Sequence, residues 1–226
     1  MIVEQRGTFM KRDIIFSVTC LLLLGLLPGC GKIIDWAKEN FDQGEPLKNK
    51  VSEARKFVRS ARIYDQFELV GGFDALWLCD DLRILYSDLY ALKNGKTQEQ
   101  RKVFLRRQLE ENNHFISFYL LGLQKTPLNE QDAIWSIFLQ VGDRMFHPNE
   151  VKLIDLTPEY IEIFGKKYSK FKDPYLVYFN AKDIEDYVII GQDIEKISLV
   201  FRTLDREATL SWNLRKNKVV NPSVCE

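Results

Sequence analysis

The apolar residues of this chain follow two rhythms, which change over near residue 113. Leu78, Leu82, Leu85, Leu89 and Leu92 recur at spacings of four, three, four and three. That is the stripe of an amphipathic helix. Asp74 stands ahead of it as a candidate N-cap, and Asn94-Gly95 stops it. Thr97 and Gln100 then form a capping box for a second helix carrying Val103, Phe104, Leu105 and Leu109, which fades at Asn112-Asn113. So short a connection predicts an antiparallel helical hairpin. Upstream, Phe57, Ala61, Ile63 and Phe67 share one parity, which predicts a strand near Phe57–Tyr64 that ends at Gly71-Gly72.

Past residue 113 the period becomes two. Phe115–Leu123 is apolar on both parities and reads as a buried strand. Trp135, Ile137, Leu139 and Val141 alternate with polar or outward positions. Val151–Leu156, Glu159–Phe164 and Tyr175–Phe179 are further short candidates, with Thr157-Pro158 between the first two. Ile197, Leu199 and Phe201 alternate, as do Ala208, Leu210, Trp212 and Leu214, and the residues 204–207 between them make a hairpin. Residues 181–196 are acidic and read as a surface loop with a short strand at Val188–Ile190. The pattern predicts an α+β fold: a mainly antiparallel β-sandwich with the helical hairpin inserted between a first strand and the rest. Immunoglobulin-like topology is the preferred arrangement, on strand count alone.

The first thirty residues follow a different logic. Lys11-Arg12 precede an apolar run from Ile14 to Leu27. A helix that spans a bilayer needs about 20 apolar residues, and this run is shorter. A basic start, a short apolar core and small residues at a cut site describe a secretory signal. It ends in Leu27-Pro28-Gly29-Cys30 rather than an A-x-A site. This stretch resembles the lipobox of bacterial lipoprotein precursors. The resemblance implies that the Cys30 thiol receives a diacylglyceryl group, that residues 1–29 are removed, and that the new amino group is acylated. Two or more acyl chains hold a protein stably at a membrane, at about 0.8 kcal/mol per buried methylene. Gly31, not Asp, follows Cys30. By the sorting pattern of enteric lipoproteins this implies the outer membrane, facing the periplasm.

Cleavage there leaves 197 of the 226 residues, enough for one large or two small domains. Residues 30–50 read as a lipidated tether, 51–214 as the globular α+β domain and 215–226 as a polar tail. Within the tether, Lys32–Phe41 has an amphipathic pattern, and Gly44-Glu45-Pro46 is read as its break. Trp36 suits either the lipid headgroups or the domain surface. The precursor is neutral and the mature chain near −1, which argues against nucleic acid as a partner. Of four cysteines, Cys20 leaves with the signal and Cys30 carries lipid. The remaining Cys79 and Cys225 form no disulfide framework, and whether they pair is open.

No compact catalytic, nucleotide-binding or zinc motif occurs. Neither a cofactor nor a metal is expected. His114 and His147 are the only histidines, and each reads as structural or exposed. Asp80, Asp81 and Asp88 lie on one helix and read as a solvated face. Trp135, Tyr175, Tyr178, Phe179 and Trp212 read as core aromatics. Lys102, Arg106 and Arg107 crowd one helix face, and like charges at i,i+4 disfavour an isolated helix. They are the candidate partner-binding residues, for an acidic protein or anionic lipid, alongside the reading of a solvated face. The expectation is a membrane-anchored envelope module that binds or assembles without catalysis and has no catalytic residues. A partner docks on it through that face or along a sheet edge. The rival is an envelope hydrolase built on dispersed carboxylates.

Overall fold

A computed structural model describes residues 44–214, apart from 131–132 and 192. Cys30, Trp36, the amphipathic pattern at 32–41 and Cys225 lie outside the described residues. A helix, α1 (Gly44–Arg55), opens them and leads into two strands, β1 (Val58–Asp65) and β2 (Glu68–Trp77). The hairpin of α2 (Asp80–Lys93) and α3 (Gln98–Asn112) follows. Then come β3 (Phe115–Leu123), β4 (Ser136–Val141), β5 (Arg144–Phe146) and β6 (Glu150–Leu153). The short helix α4 (Pro158–Phe164) and a 3₁₀ turn (Gly165–Lys167) precede β7 (Lys172–Asn180), β8 (Lys196–Arg202) and β9 (Glu207–Asn213).

The strands make two antiparallel sheets, one ordered β1-β2-β3-β7-β6 and the other β5-β4-β8-β9. They share one core, in which Phe73 of β2 stacks on Phe201 of β8 with ring centroids 3.9 Å apart. The immunoglobulin arrangement places strands A-B-E-D in one sheet and C-F-G in the other, with C′ added beside C in larger forms. Here β2-β3-β7-β6 follow A-B-E-D, and β5-β4-β8-β9 follow C′-C-F-G. β1 is an extra strand ahead of A, and the helical hairpin fills the A–B connection.

Apolar residues on both parities of β3 have a cause in this layering. Phe118 turns inward to Phe179 and Trp212, with centroids 6.0 and 5.3 Å away. Tyr119, on the other parity, meets Tyr160 of α4 at 4.5 Å. The helices therefore form a third layer over the outer face of the first sheet, and the middle of β3 is covered on both faces. Trp135, Tyr175, Phe179 and Trp212 are buried as expected, while Tyr178 is half-buried against Phe115.

Four local expectations are corrected. The helical hairpin follows the second strand, not the first, because Gly71-Gly72 lie inside β2 instead of ending β1. A Cβ on Gly71 would come 2.8 Å from Trp135, so the missing side chain is what lets the indole cross the strand. Asp74 is no N-cap: it is fully buried in β2, and the N-cap of α2 is Cys79. Glu159–Phe164 is helical, because Pro158 at the first helical position presets the backbone angle and lacks an N–H that would go unpaired there. Val188–Ile190 contributes a single bridge, Lys182 to Val188, and no strand.

The helical layer is tied down by charge. The Asp88 carboxylate, half-buried, accepts from Lys50 of α1 at 2.5 Å and also pairs with Arg101 of α3. It is therefore not part of a solvated face. Replacing Asp88 with Ala removes both links at once, and α1 should exchange its amide hydrogens faster. The expected loss is about 2 kcal/mol in urea unfolding, with faster exchange concentrated in α1 and α3. Unchanged exchange in α1 would count against this clamp.

Sheet edges offer little room for an incoming strand. β6 has four residues and β5 three. The edges of β1 and β9 face each other instead: Trp212 Nε1 donates to Phe57 O at 2.8 Å, and Arg59 Nε to Ser211 O at 3.0 Å. Short or occupied edges resist strand addition.

Candidate functional site

Four stretches far apart in sequence converge at one end of the sandwich. β2 runs into the N-terminus of α2, and Leu78 N donates to Ser117 O at 2.9 Å, which holds that junction against β3. The loop after β7 and the last described residue, Leu214, close the other side. Between them lies a cleft of about 430 Å³. Small-molecule sites run from about 300 to 1,000 Å³. Its walls are mostly apolar, with Trp77, Phe115 and Ile116 facing Ile190, Ile194 and Leu214.

Five polar residues break that lining: Cys79, Asp80, Asp81, Asn112 and Ser117. Asp80 is exposed, and its Oδ1 accepts from Asn112 Nδ2 at 2.7 Å. Asp81 is half-buried and makes no hydrogen bond or ion pair with any described residue. Burial raises its carboxyl above the ordinary value, and the like charge of Asp80 adds to that. The Ser117 side chain is fully buried, and its Oγ has no partner among the described residues. Cys79 is a free, buried thiol, pushed up to about 12 by burial and the neighbouring aspartates. At neutral pH it stays protonated and is a poor nucleophile.

A second polar centre lies under the hairpin. Arg83 is 2% exposed. Its Nε donates to Leu78 O at 3.2 Å and Asn112 Oδ1 at 2.7 Å, and its Nη1 to Gln108 Oε1 at 2.7 Å and Glu111 at 3.1 Å. Tyr86, Tyr119 and Tyr160 pack close by, and burial pushes the Tyr119 hydroxyl up to about 12. These groups are closed in, and they hold the hairpin rather than face a ligand.

The candidate residues are now placed. Lys102, Arg106 and Arg107 are exposed on the outer side of α3, with no ion pair to a described residue. Arg101, next to Lys102, is drawn away to Asp88. Asp81 and Asp88, seven residues apart, are separated in role: Asp81 lines the cleft and Asp88 clamps α1 to α3. His114 and His147 are both exposed, and no metal-holding cluster occurs among the described residues. No helix among the described residues is long and apolar enough to cross a membrane. The cleft itself was not anticipated. Its lining is drawn from stretches far apart along the chain, and none of them marks it in the sequence. No protein family, curated protein or solved structure matches the chain.

Proposed function

We propose that this protein is a lipid-anchored component of the bacterial envelope, held through Cys30 at the outer membrane and facing the periplasm. Its globular body is a non-catalytic binding module. The observation that carries the binding half is the apolar cleft between α2, β3 and the loop after β7, with the unpaired Asp81 carboxylate in its lining. The residues Lys11-Arg12, the short apolar run and Leu27-Pro28-Gly29-Cys30 support the anchored half. The exposed cations Lys102, Arg106 and Arg107 are the face offered to an acidic envelope partner.

The experiment is the intact mass and membrane partition of the expressed precursor beside Cys30→Ala. The wild type is expected to lose residues 1–29, gain the mass of a diacylglyceryl group and float with membranes. The variant is expected to do none of these. An unmodified wild-type chain in the soluble export fraction would overturn the anchored reading.

A further inference from the structure

We infer that the segment following Leu214, residues 215–220, lies in the cleft and covers it until a ligand displaces it. This adds a regulation to the binding reading above and rests on that reading.

The point from which the chain leaves β9 carries the inference. Leu214 is itself part of the cleft wall, and its N–H donates to Glu195 O at 2.8 Å, so the next residues start from a fixed place on the rim. Six residues in extended form span about 20 Å, and a cleft of about 430 Å³ lies within that reach. A segment tethered so close competes with any free partner at an effective concentration on the order of millimolar, so weak contacts suffice to hold it. Its sequence matches the lining. Val188 and Phe115 expose apolar surface at the rim, and Val219 and Val220 are the apolar residues that would take this surface from water. Arg215, Lys216 and Lys218 come before them. The lining holds the carboxylates of Asp80 and Asp81 and no Lys or Arg, and the Asp193 carboxylate lies against Gly191 of the same wall. An anionic partner would be repelled here, whereas the chain's own cations begin at the first residue past the wall. Exposed ion pairs add little affinity, so the valines hold the segment and the charges orient it.

The test compares the mature lipidated protein with one ended at Leu214, both in nanodiscs, by amide exchange and by calorimetric titration with hexanol. Empty discs subtract the partition of hexanol into lipid. Ending the chain at Leu214 is expected to speed exchange severalfold at residues 78–82 and 188–190. It should also tighten hexanol about tenfold, the factor that follows if the segment fills the cleft about nine-tenths of the time. Lys216→Glu with Lys218→Glu should give part of both changes, and adding Asp81→Lys should reverse them. Unchanged exchange, with hexanol bound equally by both proteins, would overturn coverage by the segment and leave the binding reading standing. Failure of hexanol to bind either protein, with exchange still faster after truncation, would overturn the binding reading, and the regulation with it, while the segment keeps its place in the cleft. With neither change, both fall. Charge reversal without effect would overturn the pairing with Asp80 and Asp81.

Discussion

Arg83→Ala should cost the fold about 3–5 kcal/mol, the usual result of removing one partner from a buried charged network. Arg83 spans the open end of the helical hairpin. Its Nε grips Leu78 O, just before α2, and Asn112 at the end of α3, while its Nη1 reaches Gln108 and Glu111 in the last five residues of α3. The loop at 94–97 closes the hairpin at the opposite end. α3 has no buried residue of its own. Its attachment rests on Arg83, on the Arg101–Asp88 pair and on Phe104 stacked against Tyr90 at 4.5 Å. Truncation leaves two side-chain amides, a carboxylate and a carbonyl without their donor, and it opens a cavity beside Tyr86.

The loss should therefore be local before it is global. Amide exchange should accelerate across α3 and the end of α2 well ahead of β7 and β8, a sub-global opening rather than uniform softening. Arg83→Lys should not rescue it, because a single ammonium cannot hold two separated acceptor groups in the geometry of a planar fork. Nη2 of Arg83 has no partner among the described residues, and that cost already offsets part of what the network contributes. Urea unfolding of the alanine variant that changed by less than about 1 kcal/mol would show that the Arg101–Asp88 pair and the aromatic contacts hold the hairpin without Arg83.

How far the sequence reveals this fold depends on where each element's partners lie. Helix α3 was legible because its capping box is local: Thr97 Oγ1 accepts from Gln100 N, and the Gln100 side chain returns to Thr97 N. β8 and β9 were legible because alternation and a four-residue connection specify a hairpin without outside help. β2 was not. Its glycines look like terminators until Trp135, more than sixty residues on, is seen lying across Gly71. Asp74 has the residue type of an N-cap, and only the cations of β1 and β7 reveal that it belongs inside a strand. For α4 the local signal was present, a Thr-Pro start followed by Glu159, but alternating apolar residues outweighed it. The cleft was invisible for a different reason. Its lining comes from residues near 78, 115, 190 and 214, and no spacing along the chain encodes a convergence that the sandwich creates.

Asp74→Asn should rank with Arg83→Ala in stability at neutral pH, and its effect should fade in acid. The Asp74 carboxylate is fully buried in β2. Arg62 of β1 clasps both its oxygens at 2.8 Å, and Lys172 of β7 donates at 2.5 Å, so a single anion stitches strands on both sides of β2 and β3. Lys167 stands 3.9 Å away. Neutralising the anion leaves Lys172, 12% exposed, with its charge uncompensated, and the expected loss is about 3–5 kcal/mol. Burial by itself would raise the Asp74 carboxyl. Hydrogen bonds from Lys172, Ser60 and Arg62, with the Arg62 charge, outweigh it and hold the group below the ordinary 3.8. A carboxyl lowered in the fold contributes stability that is complete above its unfolded value and disappears as pH falls through the folded one. The gap in unfolding free energy between wild type and Asp74→Asn should thus be constant from about pH 7 to 5 and close as the pH approaches about 2. A gap that persisted undiminished into acid would mean that Asp74 acts through its shape and hydrogen bonds, with its charge contributing nothing.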